Sequence, residues 1–298
     1  MRREELGDLI AFLGVADARS FTGAAAQLGT SQSALSHAVR RLEDRLGVRL
    51  LTRTTRNVAP TAAGEQLAAT LRPAFSSIQS ELDTVASMGG RPAGTLRVTS
   101  SLDIAETLLL PAAARIMAEH PGIEIEIAID QRLVDIVAGR FDAGVRLGEE
   151  VEKDMIAIPI SPDIRMAVAA TPDYFRQHGQ PATPHNLTRH ACINLRLPTR
   201  GGLYAWEFEQ DGRALNVRVS GQFTCNDPRV VLAAARAGLG LTCLPEDYLR
   251  EDIEAGRLVR VLEDWCPPFP GYHLYYPSRR QMPPALRLFV EALRYRKP

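Results

Sequence analysis

The sequence has no long apolar run, no paired cysteines and no excess of charge of either sign. It contains no stretch of about 18 uncharged apolar residues, so no transmembrane helix is predicted, and no apolar core follows the first residues as a signal peptide requires. The four cysteines show neither a CxxC pair nor a metal-ligand spacing; they are Cys192, Cys225, Cys243 and Cys266. We therefore predict a cytoplasmic protein with reduced thiols and no membrane partner.

Motifs of the common enzyme classes are also missing. The chain contains no GxSxG, HExxH or GxxxxGK[ST] pattern and no GxGxxG that opens a helix. The glycine-containing stretch 237–240 ends a predicted helix and begins a strand, which is the wrong order for a dinucleotide-binding turn. We predict no catalytic residues, no metal site and no cofactor.

An ordinary globular composition remains, with a local concentration of positive charge. The 298 residues, 45% of them hydrophobic, suffice for about two domains. Lys+Arg and Asp+Glu both number 35, which excludes a globally basic nucleic-acid binder. Residues 1–60 nevertheless carry a net charge of +3, and residues 30–60 one of +4. Such a run is typical of a solvated face or of a nucleic-acid contact.

The first 50 residues predict three short helices. Apolar residues follow a 3.6-residue period over 5–18, Thr22 is a candidate N-cap for a second helix, and Gly29 is its candidate C-terminal glycine. Thr30 or Ser31 would cap a third helix that runs to about residue 46, just before Gly47. Two helices joined by a short glycine-containing turn are typical of a helix-turn-helix.

The third helix separates into an apolar and a polar face. Steps of 100° per residue place Leu35, Ala38, Val39, Leu42 and Leu46 on one side. They place Ser33, Ser36, His37 and Arg40 on the other. An ordinary surface helix would also divide in this way. Short or fork-shaped hydrogen-bonding side chains beside a capped N-terminus favour a helix that reads a DNA groove.

A small hairpin is predicted after the third helix. Residues 48–51 and 57–59 would form its strands around the tip 52–56, which is polar, basic and free of acidic residues. A wing of this kind would reach phosphates or the minor groove, while the alternative is a solvated loop.

These features together resemble the DNA-binding head of LysR-type transcriptional regulators. The matching pattern is Phe21-Thr22-x-Ala24-Ala25-x-x-Leu28-x-x-Ser31-Gln32-x-Ala34-Leu35-Ser36, Leu42-Glu43-x-x-Leu46-Gly47, Arg53-x-x-Arg56 and Thr61-x-Ala63-Gly64. Leu51 and Pro60 depart from the family's usual residues at packing positions. The resemblance implies a winged helix-turn-helix domain over residues 1–60. We assign ten residues to the DNA interface: Thr22, Thr30, Ser31, Gln32, Ser33, Ser36, His37, Arg40, Arg53 and Arg56.

Residues 62–88 predict a long helix with an apolar seam. Leu71, Ile78 and Val85 form one seven-residue row, and Ala68, Phe75 and Leu82 form a second. The helix could pack on its own domain, but the flanking sequence offers no local partner. The resemblance implies an antiparallel linker-helix dimer over 61–88, assembled as a homodimer or homotetramer. Pro73 is expected to bend this helix, and 89–94 is a predicted hinge.

From residue 95 onward, short apolar strands alternate with helices. The predicted strands are 96–99, 123–129, 143–147, 164–169, 192–195 and 239–243, followed by a 206–219 hairpin and a 272–276 strand; the predicted helices are 104–119, 132–139, 171–178, 227–237 and 284–295. This pattern predicts an α/β module with mostly parallel sheets. The resemblance implies an effector domain, 95–298, of two Rossmann-like subdomains, with subdomain I formed by 95–165 and 270–298 and subdomain II by 166–269.

Ligands of such sheets bind at the carboxyl ends of the strands, in the crevice. That rule selects nine candidate effector residues: Ser100, Ser101, Gln131, Arg132, Arg146, Asn194, Arg196, Asn226 and Asp227. Arginine beside a helix N-terminus favours a carboxylate ligand. Structural roles are the alternatives, because Ser101 and Asp227 could cap helices and Arg146 could form an ion pair.

The leading interpretation is a ligand-responsive transcriptional regulator in the bacterial cytoplasm, on the nucleoid. Its expected partners are dyad-symmetric promoter DNA, a small organic effector that carries a carboxylate, a second copy of the chain and RNA polymerase. The alternative is a small-molecule enzyme or binding protein that uses the α/β module and keeps a vestigial DNA-binding head.

Overall fold

The structure of the protein is a computed structural model. It describes residues 3–53, 58–87, 92–137, 139–148, 155–197, 202–277 and 282–296. The chain divides into two compact units. The head comprises Met1–Ala93 with Arg279–Pro284, and the C-terminal unit comprises Gly94–Ser278 with Ala285–Pro298.

Three helices open the head: α1 (Arg3–Ala18), α2 (Phe21–Gln27) and α3 (Gln32–Leu46). The predicted cap of α2 is wrong by two residues, because the Ser20 hydroxyl accepts the Gly23 N–H and Thr22 lies inside the helix. Ser31 rather than Thr30 caps α3, since its hydroxyl accepts the Ala34 N–H at 3.1 Å. The helix-turn-helix is otherwise as predicted, and Gly29 and Gly47 follow the ends of α2 and α3 with positive φ.

The apolar face of α3 packs into the core of the head. Leu35, Val39 and Leu42 are buried against α1 and α2, as their spacing predicts. Leu46, predicted on the same stripe, is instead half exposed. It occupies the last helical position, and the chain turns away directly after it at Gly47, whose φ is +67°.

The predicted wing is a two-stranded antiparallel hairpin. It consists of β1 (Leu51–Arg53) and β2 (Val58–Pro60), with Leu51 opposite Pro60. Pairing thus begins three residues later than the predicted start at residue 48. Residues 54–57 of the predicted tip lie outside the described part of the chain.

The linker helix α4 (Ala62–Ser87) begins at the base of this hairpin and runs through Pro73. Thr61 caps it by accepting the Gly64 N–H. Ala68 is fully buried in the head, whereas Ile78, Leu82 and Val85 are more than half exposed. Residues 89–91 of the predicted hinge lie outside the described residues, and the last two hinge positions already belong to the next strand.

The C-terminal unit is an α/β structure with separate sheets. Its strands are β3 (Ala93–Ser100), β4 (Gly122–Ile129), β5 (Ala143–Leu147), β6 (Met155–Pro159), β7 (Met166–Ala170), β8 (Asn194–Leu195), β9 (Trp206–Gln210), β10 (Arg213–Val217), β11 (Thr224–Cys225), β12 (Thr242–Pro245), β13 (Val259–Val261) and β14 (Tyr272–Pro277). A five-stranded sheet has the order β4-β3-β5-β14-β6, and a three-stranded sheet has the order β12-β7-β13.

Helices cover these sheets. They are α5 (Leu102–Ile104), α6 (Leu110–Glu119), α7 (Pro172–His178), α8 (Pro228–Arg236), α9 (Glu246–Glu254) and α10 (Pro284–Leu293). A single π-turn, Ala105–Leu109, joins α5 to α6, so the predicted 104–119 helix is continuous but locally widened. Four of these elements, β6, β11, β13 and α9, were not predicted from the sequence.

The prediction of mostly parallel sheets is wrong. In the large sheet β3 and β5 are parallel, but β14 is antiparallel to both of its neighbours. In the smaller sheet β7 is antiparallel to β12 and to β13. Each sheet contains strands that come from much later in the chain than their neighbours, namely β14 in the large sheet and β12 and β13 in the smaller one. Alternation of strands and helices along the sequence does not reveal the direction in which a returning strand enters a sheet.

The predicted helix at 132–139 is also wrong for the described residues of that stretch, which form a bend, an irregular segment and a turn. The carboxylate of Asp135 accepts the Val137 N–H at 2.9 Å, and its carbonyl accepts the Gly139 N–H. An aspartate that binds the backbone two residues later competes with helix formation, and apolar spacing alone does not show this.

The hairpin predicted at 206–219 is present as β9 and β10. Asp211 and Gly212 both have positive φ, as a tight two-residue hairpin turn requires. All four cysteines are free. Burial raises the pKa of the Cys192 thiol to about 12 and that of Cys266 to about 11, which keeps both protonated at neutral pH.

No single helix in the described residues has both the length and the hydropathy of a membrane span. The first two helices reach those values only when they are counted together, and the chain bends by 118° between them.

Candidate DNA-contact and effector sites

The N-terminus of α3 presents short polar groups to solvent. Gln32, Ser33, His37 and Arg40 are exposed, and Ser36 is half-buried. The hydroxyls of Ser31 and Ser33 lie 3.0 Å apart, so the capping side chain is hydrogen-bonded to the side chain two residues later. Thr22 on α2 and Thr30 in the turn are exposed as well. The predicted groove-facing residues therefore lie opposite the buried stripe of α3.

Ion pairs within the head use part of the positive charge that the sequence concentrates there. Arg41 binds the buried carboxylate of Asp8 at 2.6 Å, and Arg45 lies 3.9 Å from it. Arg49 binds Glu43 at 3.2 Å. Among the described residues Arg40 forms no ion pair, so it remains available to a phosphate or a base. The side chain of Arg53 and all of Arg56 lie outside the described part.

A cavity of about 370 Å³ lies in the C-terminal unit, within the range of small-molecule sites. Four of the predicted effector residues line it: Gln131, Arg132, Asn226 and Asp227. Leu102, Ile129 and Asp130 complete the lining and were not predicted. The strand-end rule could have selected Asp130, because it directly follows β4, whereas the two apolar residues carried no signal of their own.

Arg132 is already paired on the rim of this cavity. Its guanidinium binds the Asp130 carboxylate through two nitrogens, the closer at 2.8 Å. These hydrogen bonds lower the pKa of Asp130, which stays ionised at neutral pH. Asp227 caps α8 by accepting the Arg229 N–H at 2.8 Å, as the structural alternative predicted. The same residue also lines the cavity.

Arg146 is buried and directed at main-chain carbonyls. Its terminal nitrogens donate to the carbonyls of Val145, Asp130 and Arg132 at 2.6, 3.1 and 2.6 Å. In this way it holds the 130–132 turn that forms one wall of the cavity. Its Nε is buried and has no hydrogen-bond partner among the described residues. The structural alternative for Arg146 is therefore realised through carbonyls rather than through an ion pair.

Two further predicted residues carry buried polar atoms without a partner in the described structure. They are the hydroxyl of Ser100, which is fully buried, and Oδ1 of Asn194. Ser100 adjoins the cavity because its carbonyl accepts the Asp130 N–H at 3.0 Å. Ser101 precedes α5, but its hydroxyl makes no capping bond. Asn194 and Arg196 are not among the residues that line the cavity.

The described residues contain no cluster of histidine, cysteine and acidic side chains that could hold a metal ion. The cavity instead combines apolar contacts with a few convergent hydrogen-bonding groups. This combination suits a small organic molecule.

Comparisons with known proteins assign both units. Residues 6–65 match the model for the bacterial regulatory helix-turn-helix protein of the lysR family, and residues 89–297 match the model for the LysR substrate binding domain. A relative from Pseudomonas aeruginosa is 52% identical over all 298 residues and is covered to 97%. The HTH-type transcriptional regulator PgrR of Escherichia coli is 48% identical, and the match covers 99% of both chains.

Solved structures agree with this assignment. The full-length structure of AphB, a virulence activator of Vibrio cholerae, has a TM-score of 0.61 at 26% identity, over 98% of both chains. CrgA of Neisseria meningitidis, a LysR-type transcriptional regulator, has a TM-score of 0.59 at 28% identity, over 96% of this chain and 97% of its own. These relatives are regulators rather than enzymes, which removes the enzyme alternative. The chain belongs to the LysR family of DNA-binding bacterial transcriptional regulators, with an N-terminal helix-turn-helix, a linker helix and an α/β effector-binding domain.

Proposed function

We propose that the protein binds dyad-symmetric promoter DNA through paired heads and changes that binding when a small carboxylate enters the effector cavity. The observation that carries the effector half is the set of buried polar atoms without partners. Ser100, Arg146 and Asn194 were selected from their positions at the carboxyl ends of predicted strands, and each has such an atom. Because an unsatisfied buried polar group is costly, the two of these residues that are hydrogen-bonded to the cavity wall, Ser100 and Arg146, support a ligand that completes their hydrogen bonds.

A carboxylate beside the 130–132 wall of the cavity is the ligand that the neighbouring groups favour. Ser100, Ser101 and Arg146 do not line the cavity, but Ser100 and Arg146 are hydrogen-bonded to this wall, and the Ser100 hydroxyl and Arg146 Nε are without partners there. Leu102 and Ile129 give an apolar surface for the rest of the ligand. The ionised Asp130 is already neutralised by Arg132, so it does not oppose a single negative charge.

Replacing Ser100 by alanine separates this role from folding. The hydroxyl has no partner among the described residues, so the free energy of unfolding should stay unchanged or rise slightly. Loss of a hydrogen bond to a charged ligand, about 1.5 kcal/mol, should weaken effector binding at least tenfold. The measurement is calorimetry of the full-length protein against monocarboxylic and dicarboxylic acids, with the matching amides as neutral probes.

Thr99→Val is the matched control for this variant. Thr99 is also fully buried with an unpartnered hydroxyl, but it is the neighbouring strand residue and so points to the opposite face of β3. It should leave carboxylate binding unchanged. Equal binding by Ser100→Ala and the wild type would exclude Ser100, and a wild type that prefers the amides would overturn the carboxylate assignment.

On the DNA side, we propose that Gln32, Ser33, Ser36, His37 and Arg40 enter the major groove. Their exposure opposite the buried stripe of α3 supports this placement. Thr22, Thr30 and Ser31 would contact the DNA backbone beside them, and Arg53 and Arg56 would bind phosphates from the wing. In the cell, these contacts would place the protein on the nucleoid, where RNA polymerase is a further partner.

Gln32→Ala tests base reading. Glutamine binds adenine through two hydrogen bonds, so its loss should cost about 1–3 kcal/mol at the specific site and little on other DNA. The measurement first footprints the protein on the DNA upstream of its own gene. It then compares affinities for the protected duplex and for a scrambled duplex of equal length. Gln66→Ala, at an exposed position on α4, is the control. An unchanged ratio of the two affinities in Gln32→Ala would refute the groove assignment.

The described part of α4 supports pairing of two subunits. Its exposed apolar residues, Ile78, Leu82 and Val85, repeat at spacings of four and three and so form one stripe. Pairing would present two recognition helices to half-sites about one turn of DNA apart. An effector changes such an assembly only by favouring one arrangement of the subunits, with an expected coupling of about 1–3 kcal/mol.

A further inference from the structure

The head contains a buried carboxylate whose partners are the backbone of the wing. Glu43 lies in the last turn of α3, and its side chain is only 3% exposed. A buried charge is unfavourable unless hydrogen bonds compensate it. The groups that compensate this one therefore show what the residue holds in place.

Glu43 binds the segment that leads from α3 into the wing. One carboxylate oxygen, Oε1, accepts the N–H groups of Leu50 and Leu51 at 2.9 and 3.1 Å. The other oxygen accepts from the guanidinium of Arg49 at 3.2 Å. The main-chain carbonyl of Glu43 also accepts the Val48 N–H. A single residue of the recognition helix thus fixes four consecutive residues, 48–51, which we term the wing root.

The wing root is also held by packing and by bonds to α4. Leu50 and Leu51 are buried in the head core together with Leu35, Val39 and Leu42 of α3. Strand pairing starts only at Leu51, which lies opposite Pro60. On its far side, Thr61 donates through its N–H to the Leu50 carbonyl at 2.9 Å and through its hydroxyl to the Arg49 carbonyl at 2.8 Å. These bonds tie the root to α4. The described hydrogen bonds between the root and α3 are those of Glu43, which fix direction where apolar packing does not.

We propose that Glu43 is a positioning residue for DNA binding, which sets the wing at the distance and angle from α3 at which both meet the same duplex. The proposal rests on the phosphate contact of the wing proposed above. Helix and wing must engage DNA together, so a shift of the wing root by about the length of one methylene removes wing contacts and leaves base reading by α3 intact.

The head offers a second buried carboxylate as a comparison. Asp8 is also almost fully buried and binds Arg41, but its partners are on α3 and none is in the wing root. Asp8→Asn therefore removes a buried charge of the head without touching the wing. A role that is merely structural would make Asp8 and Glu43 variants behave alike.

The test uses two conservative variants of Glu43 in the full-length protein. Glu43→Asp keeps the charge but is one methylene shorter, so it does not reach both N–H groups. Glu43→Gln keeps the reach and one accepting oxygen. The measurement is the slope of log affinity against log salt for a non-specific duplex, which counts phosphate contacts. Arg53→Ala calibrates the loss of one wing contact, about 1 in slope.

We expect Glu43→Asp to lower the slope by about 2, one for each of the two proposed wing arginines, Glu43→Gln to restore it, and Asp8→Asn to keep it at the wild-type value. Combining Glu43→Asp with Arg53→Ala should lower the slope no further than Glu43→Asp alone. Hydrogen exchange of the Leu50 and Leu51 amides should be faster in Glu43→Asp than in Asp8→Asn.

Results that contradict the role of Glu43 can be told apart from results that contradict the wing contact. A wild-type slope in Glu43→Asp beside a lowered slope in Arg53→Ala overturns the role of Glu43 and leaves the wing contact standing. An unchanged slope in Arg53→Ala overturns the wing contact and the role of Glu43 with it. A slope that Glu43→Gln lowers as much as Glu43→Asp would show that charge, not position, is what matters, and would also refute the proposal.

Discussion

Replacing Gly64 by alanine is expected to destabilise the head by about 3 kcal/mol and to abolish DNA binding. A Cβ at this position would lie 2.1 Å from the carbonyl oxygen of Leu50 and 3.3 Å from Cβ of Pro60. The first of these contacts is with backbone that the Thr61 N–H also binds, so it cannot give way like a flexible side chain. The first turn of α4 would have to move off the wing root and lose its cap.

The fluorescence and hydrogen exchange of the full-length protein measure this effect separately for its two units. Both tryptophans, Trp206 and Trp265, lie in the C-terminal unit. The unfolding transition followed by tryptophan fluorescence should therefore not change. Amides of α1 and α3 should exchange much faster, because about 3 kcal/mol is a large share of a domain's stability of roughly 5–15 kcal/mol.

Gly7→Ala provides the matched control for Gly64→Ala. A Cβ at Gly7 meets no atom within 4 Å, and the residue lies inside α1. The same substitution there should stabilise the helix by about 1 kcal/mol. Head protection in Gly64→Ala that equals the wild-type value would show that α4 does not pack on the wing root as described.

Ile78→Glu is expected to convert the protein into a monomer. In the proposed dimer the exposed stripe of α4 is covered by a second copy of the chain, and symmetry places two altered residues in each interface. An unpaired buried charge costs about 3 kcal/mol, so the pair should raise the dimer dissociation constant about 10⁴-fold. Affinity for a site with two half-sites should fall with it, because each head would then bind alone.

Sedimentation equilibrium at micromolar concentration and titration of a two-half-site duplex measure both effects. Ser77→Glu is the control, because Ser77 is exposed and lies outside the apolar stripe, where a charge remains in water. A wild type that sediments as a monomer would refute the pairing. An unchanged assembly in Ile78→Glu would place the interface elsewhere.

In the head, local sequence signals predicted most of the structure. Helix ends could be located because Gly29 and Gly47 adopt positive φ and Ser31 caps α3, all of which depend on neighbouring residues only. The error at Thr22 has the same origin. The cap is the hydroxyl of Ser20, two residues before Thr22, and the helix already begins at the buried Phe21 between them.

In the C-terminal unit, the sequence located elements better than it located their partners. Strands at 143–147 and 206–210 could be predicted because their own alternation or apolar run was sufficient. The direction of β14 could not, since it depends on pairing with β5 and β6, more than 100 residues earlier. The cavity lining could likewise be predicted only in part. Strand-end positions indicated Gln131 and Asn226 but not the apolar Leu102.

The sequence by itself determined the family, the helix-turn-helix of the head and the polar face of α3, because these depend on residue types at fixed local spacings. Only the tertiary structure decided that Arg146 donates to main-chain carbonyls, that Glu43 accepts hydrogen bonds from the wing root and that Gly64 leaves room for the Leu50 carbonyl. The reason is physical. A charged side chain looks the same in sequence whether it meets solvent, a ligand or the backbone, and its role is fixed only when the fold brings distant groups within hydrogen-bonding distance.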